Sequence, residues 1–305
     1  LWYRPSENQH FWGTFFYRNQ GVAYLTLVIV ATAFLYFFHL NRCERRAQTG
    51  GPYLLLFVFV AVLATSIGLA LSRGGILFGG AMTLFFLVAA AGRWLFSRSG
   101  RTSIILSTIV FLLVGGGAYS IFRYIDWQAI DERFGDIEAT IENADEDTRA
   151  LTTEITWNMA REQLWLGWGA GSWRYIFPMY QKSYPEIFHL RYHKRKGWIG
   201  RRFFRYAHND IMQFLYEFGV AGCALLLGAY GWWLLVLAQR SFENRMCALT
   251  VFVGLVLVGG HAFLEFIFQS PAYWVALNGF LCAAAKLIAL HDERNRPVDL
   301  PAKGS

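Results

Sequence analysis

His208 is the residue best placed to do chemistry. It stands in Ala207-His208-Asn209-Asp210-Ile211-Met212-Gln213, where a long polar segment meets an apolar run. Asp210 followed three positions later by Gln213 reads as a capping box, so the spacing predicts a helix starting at about Asp210. His208 then lies just outside the first turn, beside unpaired N–H groups and the positive end of the helix dipole. That field disfavours an imidazolium and keeps the ring able to accept a proton. The same helix end can hold an anion such as a phosphate. A proton acceptor and an anion site together would make a reaction centre. The plain alternative is an interfacial histidine beside an ordinary cap.

Arg73 is the second candidate. It sits in Ser72-Arg73-Gly74-Gly75, a tight turn between two apolar runs. Charge at that depth is costly unless it is used, and the guanidinium fork fits phosphate oxygens. Snorkelling to lipid headgroups is the competing role. Gly167-Trp168-Gly169-Ala170-Gly171 follows a stretch, 149–166, with apolar residues at Leu151, Ile155, Met159 and Leu164 to Leu166. This reads as an amphipathic helix lying on the membrane or on the bundle. The alternating glycines either bring backbone N–H groups close to a ligand or form a simple turn after that helix. Glu217, His261 and Glu265 are ionisable groups inside apolar runs, so each is expected to face the bundle interior. His261 and Glu265 share a helical face, and structural hydrogen bonding is the role expected of Glu217 and Glu265.

The elements that must position these residues are membrane helices. Of the 305 residues 55% are hydrophobic and only 16% charged, whereas a soluble domain carries about 25% charged residues. The apolar residues gather in runs at about 22–40, 52–71, 76–91, 104–119, 211–238, 246–268 and 272–290. Each approaches the ~20 residues that cross ~30 Å of hydrocarbon. The fold class is therefore all-α and polytopic, with about seven transmembrane helices. Four spans fall in 1–120, after an interfacial segment with Trp2, Phe11, Trp12 and Tyr17, and three in 210–290; a tail, 291–305, follows. A large polar loop, 121–209, separates the two sets.

The short loops 41–51, 92–103 and 239–245 are rich in arginine and fall on one side of the membrane. The positive-inside rule puts them and the tail in the cytoplasm, and the large loop and Ser72-Arg73 outside. The net charge of +7 needs no nucleic-acid partner, because loop arginines supply it. The large loop has an acidic half, from Asp126 to Asp147, read as a solvated surface. Its basic half, from Arg174 to Arg205, is interleaved with Trp198, Phe203, Phe204 and Tyr206 and suits lipid headgroups or a phosphorylated substrate. The four cysteines, Cys43, Cys223, Cys247 and Cys282, form neither a disulfide framework nor a zinc spacing, and no metal site is expected.

His208-Asn209, nine residues, Gly219, two residues and Gly222 together resemble the His-Asn-x9-Gly-x-x-Gly motif of bacterial O-antigen ligases and the related O-antigen polymerases. Gly13-Thr14-Phe15 with Asn19, the Ser72-Arg73 turn, Arg149 ahead of the 167–171 glycines, and Gln269-Ser270-Pro271-Ala272 follow the family order. The likeness runs from about Gly13 to Ala272 and is strongest over 149–222. It departs after Gly222, where Cys223-Ala224-Leu225 replaces the usual continuation. Family members also carry more spans than this chain, which begins with Leu, so it resembles their C-terminal portion and reads as truncated at its N-terminus.

The resemblance implies a GT-C-like glycosyltransferase of the bacterial inner membrane, working at the periplasmic face in cell-envelope polysaccharide synthesis. Its donor would be a glycan on undecaprenyl diphosphate, transferred with inversion and without nucleotide sugar, metal or cofactor. His208 would be the general base. Arg73 and Arg149 would bind the diphosphate, with Asn209, Gly167, Gly169, Gly171 and Glu217 in support. The acceptor stays open between lipid A core, another repeat unit and a protein side chain. A transporter or flippase for a polyprenyl-linked or small anionic substrate competes, with Glu217, His261 and Glu265 as relay groups. So does a non-catalytic scaffold.

The orientation has a direct check. A cysteine engineered near Asp145 should react with an impermeant thiol reagent from outside the cell, and one near Thr49 only after the membrane is opened. The opposite pattern would invert the topology.

Overall fold

The computed structural model describes residues 15, 17–48, 50–70, 72–96, 145–189, 191–193, 196–240 and 245–295. The run at 104–119, the segment 1–14 and nearly all of the acidic half lie outside the described residues. The membrane helices are α1 (Arg18–Arg45), α2 (Tyr53–Leu69), α3 (Arg73–Phe96), α7 (Asp210–Arg240), α8 (Arg245–Leu264) and α9 (Pro271–Asn295). Between α3 and α7 come α4 (Asp145–Glu162), α5 (Trp173–Gln181), the short α6 (Pro185–Phe188) and a hairpin of β1 (Arg191–His193) with β2 (Gly197–Ile199). The hairpin is antiparallel, with Tyr192 opposite Trp198. The apolar runs did not foretell it.

Among the described residues, five helices are long and apolar enough to cross a membrane: α1, α3, α7, α8 and α9. A further expected run is α2, a shorter apolar helix of 17 residues. The chain is a multi-pass membrane protein. Its centre is α1, whose most apolar stretch is 72% buried inside the protein, against 6% for α7. In a bilayer α1 is thus enclosed by other helices, whereas α7 faces lipid. Aromatic rings fill the space around α1: Phe86 meets Tyr36 and Phe37 edge-on at 5.0 and 6.0 Å, a geometry that suits the ring quadrupoles. Gly254 of α8 gives Val30 of α1 room to approach, as small residues do where membrane helices cross closely. At one end of the bundle Arg93 of α3 pairs with Glu44 and donates to Asn41 Oδ1 at 3.0 Å.

A second core lies at the other end of the bundle. Ile155, Met159, Trp173, Phe177, Ile187, Ala207 and Tyr216 join α4, α5 and α6 to the start of α7. Trp173 stacks on Phe177 at 4.2 Å and donates through Nε1 to Thr156 Oγ1 at 3.0 Å. The amphipathic helix expected over 149–166 is α4, which ends at Glu162.

The reason for that early end lies in α7. Its helix is broken at Gly219, which has φ 63° and ψ −174°, a conformation open essentially only to glycine. The break leaves backbone groups without partners, which is costly in or near lipid. Residues 164–169 supply them. Val220 N–H donates to Leu164 O (2.8 Å) and Ala221 N–H to Trp165 O (3.0 Å). In return Trp168 and Gly169 donate to the carbonyls of Tyr216 and Glu217, both at 2.9 Å. Such pairing needs two backbones in contact. A Cβ on Gly167 would lie 2.6 Å from Gly219 N, and one on Gly219 would lie 2.6 Å from Gly167 N.

Gly219→Ala and Gly167→Ala should therefore each lower the melting temperature in nanodiscs. Gly228→Ala, at a helical site with open space around it, should leave melting unchanged or raise it. The dihedral strain alone is about 1–3 kcal/mol. Equal melting of all three variants would contradict the backbone contact.

Candidate functional site

The start of α7 is capped one residue earlier than the sequence pattern suggests. Asn209 is the cap: its Oδ1 accepts from Met212 N–H at 3.1 Å. Asp210 is fully buried, and its carboxylate is committed elsewhere, accepting from Phe268 N–H at 2.7 Å and Gln269 Nε2 at 3.1 Å. The expected reciprocal bond from Gln213 goes instead to Ala207 N–H, at 3.1 Å. Tertiary contact thus takes the better cap residue, and its neighbour takes over.

This shift fixes His208. Held between Ala207 and the Asn209 cap, it adopts φ 55°, in the left-handed region. Histidine visits that region more readily than most residues, but rarely. Its side chain is 31% exposed. The ring meets Phe266 edge-on at 4.6 Å, and the other side of the contact is built up by Tyr206, stacked on Phe266 at 5.1 Å, and Tyr17 at 5.2 Å.

Glu265, the first residue after α8, is the centre of the arrangement. Its Oε1 accepts from Asn19 Nδ2 at 2.7 Å and pairs with Arg149 Nη1 at 3.3 Å. Its Oε2 lies 4.0 Å from His208 Nδ1. The Glu265 side chain is 9% exposed and that of Arg149 49%. Burial raises the Glu265 carboxyl above the ordinary carboxylate range, while Arg149, the Asn19 bond and Arg18 pull it back. Asn19 extends the network, its Oδ1 accepting from Ser72 Oγ at 2.9 Å. Ser72 in turn caps α3, its Oγ accepting from Gly75 N–H at 3.3 Å. Arg73, exposed, is the first residue of that helix. Gln20 Nε2 donates to Phe266 O at 3.1 Å and secures the same turn to α1.

The structure thus joins Arg149 and His208 through Glu265, and brings the Ser72-Arg73 turn to them through Asn19. Gly167, Gly169 and Gly171 all have positive φ, but the amides that follow Gly167 pair with the broken α7. Glu217 accepts from Gln213 Nε2 at 2.9 Å. It also lines a groove of about 540 Å³ with Phe214, Phe218, Phe268, Gln269 and Trp274. His261 is buried and stacks on Phe78 at 5.0 Å, so its side chain packs in the interior, apart from the side-chain network of Glu265. Among the described residues, no cluster of three or more His, Cys, Asp or Glu could hold a metal ion.

The hydrogen-bonding role expected of Glu265 is what the structure shows, but its partners, Asn19 and Arg149, and its nearness to His208 went unread in the sequence. A signal for both existed: the topology puts residues near 19, 72–75, 207–210 and 265–271 at one membrane face, and polar residues there have one another as partners.

A family model described as O-antigen ligase matches residues 57–227. No curated protein and no solved structure matches the chain. The matched stretch contains Arg73, Arg149, the 167–171 glycines, His208, Asn209 and Gly219. It is more than half of the sequence, and the chain belongs to the O-antigen ligase family.

Proposed function

We propose that this chain carries the reaction centre of a membrane glycosyltransferase that moves a glycan from undecaprenyl diphosphate to an acceptor hydroxyl at the periplasmic face. The observation that carries the reading is the convergence of His208 and Arg149 on one buried carboxylate, Glu265. The Glu265 carboxylate, 4.0 Å from Nδ1, favours the imidazolium that forms when the ring takes a proton, and a small closure of that gap would let it orient the ring as in hydrolase triads. The opposite nitrogen, Nε2, then faces substrate as the base. It takes the acceptor hydroxyl proton while that oxygen bonds to the anomeric carbon of the donor sugar. The bond from that carbon to the diphosphate oxygen breaks with its electron pair, leaving undecaprenyl diphosphate and an inverted linkage.

The leaving group gathers negative charge as the bond breaks. Arg149, half exposed beside Glu265, and Arg73, at the first turn of α3, are the cations assigned to it. The N-terminus of α3 adds partial positive charge at the same place. The residue set needs no metal for this step. A pore-type transporter finds less support, because among the described residues Asn19, Ser72, Arg149, His208 and Glu265 converge at one end of the bundle.

His208→Ala and His208→Gln should both lose glycan transfer by ~10²–10⁴-fold while protein level and donor binding persist. Glutamine keeps a hydrogen-bonding side chain but cannot take the proton. Arg73→Lys should weaken donor binding, since an ammonium cannot reproduce the bidentate fork. An active His208→Gln enzyme would remove the general base. Unchanged donor affinity in both Arg73→Ala and Arg149→Ala would remove the phosphate site.

A further inference from the structure

The membrane helices define two levels. Asn19, Ser72 and Glu265 are hydrogen-bonded together at the outer end, and Asn41 and Arg93 at the cytoplasmic end. Helix α8 fills the interval with 20 residues, about 30 Å at 1.5 Å per residue. Helix α7 has 31 residues, about ten too many for the same interval.

Two contacts show where the excess lies. Tyr230 of α7 donates its hydroxyl to Asn278 Oδ1 of α9 at 3.2 Å, which levels these residues with each other. Asn278 is seven residues from the outer end of α9 at Pro271, so α7 reaches that level near residue 223. Yet Asp210 is bonded to Phe268 and Gln269, also at the outer end. Residues 210–218 therefore run across the outer surface, and the Gly219 break is where α7 enters the bilayer. From Val220 to Arg240, 21 residues remain to cross it, the length that spans ~30 Å of hydrocarbon.

Leu164 and Trp165 are bonded through their carbonyls to Val220 and Ala221, at that boundary. Trp165 is 72% exposed and the adjacent Leu166 78%. Two large apolar side chains this bare at the end of a polar helix have little reason to face water. Tryptophan concentrates at the level between headgroups and hydrocarbon. Exposed Arg161, one turn earlier in α4, suits the anionic headgroups above it.

We propose that Trp165 and Leu166 form a membrane-embedded tip, which fastens the outer helical layer to the bilayer at the outer headgroup boundary. The tip and the Gly219 break then act as one unit. The loop 164–169 completes the hydrogen bonds of α7 and at the same time inserts two apolar side chains beside it. The partner is the lipid surface, and the inference holds whatever reaction the site performs.

Photo-cross-linking tests it. Leu166 is replaced by p-benzoylphenylalanine in the chain reconstituted in nanodiscs of phosphatidylethanolamine and phosphatidylglycerol. Leu227, 73% exposed on α7 within the span, is replaced in parallel as the lipid-facing reference. Mass spectrometry of irradiated samples should find lipid adducts at 166 in yields comparable with those at 227. Adducts at 227 with none at 166 would overturn the proposal. So would protein–protein dimers through 166 in place of lipid adducts, since a second copy would then cover the tip. Because Leu166 is so exposed, its replacement should leave melting unchanged, and that measurement separates a displaced tip from an unfolded protein.

Discussion

A carboxylate removed from water at the end of a membrane helix must be compensated, and Glu265 shows how. Desolvation of an ion costs several kcal/mol before any partner is counted. Asn19 and Arg149 meet one oxygen, and His208 faces the other. These partners come from the start of α1, from α4, and from the residues ahead of α7. One side chain therefore ties the central membrane helix to α4 and to the segment that leads into α7. Ser72 joins α3 to the same network through Asn19.

The backbone of α7 imposes the second constraint. A continuous helix of its length would carry Asp210 well above the turn that follows α8. The break at Gly219 redirects its first two turns, and Asp210 locks them against Phe268 and Gln269. His208 is then presented to Glu265 at a left-handed backbone position, and the cap at Asn209 holds it there. Strain at this residue is offset by the Asn209 cap beside it and by the contact of its ring with Phe266. Gly219, eleven residues away in sequence, thus acts on the geometry of the histidine without touching it.

Most of the membrane architecture was legible because hydrocarbon thickness leaves a strong period-free signal: runs of apolar residues of the right length. His208 stood out by its place just ahead of a helix start and Arg73 as a costly charge between apolar runs, whereas Arg149 was singled out only by the family resemblance. Glu265 stood at the same level but looked like a helical partner of His261, since four-residue spacing suggests a shared face. The helix ends at Leu264, so Glu265 turns outward while His261 packs on Phe78. The glycines at 167–171 suggested either a ligand nest or a turn after a helix. The amides of Trp168 and Gly169 have a nearer user in the broken α7, and such pairing depends on tertiary contact that spacing cannot reveal. The cap at Asn209 was hidden likewise, because Asp210 is the stronger local choice until Phe268 and Gln269 claim it.

The central claim is that His208 and Glu265 act as one unit, with the carboxylate working through the imidazole. A double-mutant cycle on the glycan-transfer rate tests it most directly, using His208→Ala, Glu265→Gln and the double variant in folded protein. Residues that act as a unit are strongly non-additive. The double variant should be no slower than His208→Ala alone, because Glu265 has nothing left to orient. Losses that multiply across the two substitutions would show that each residue works independently, and would contradict the account.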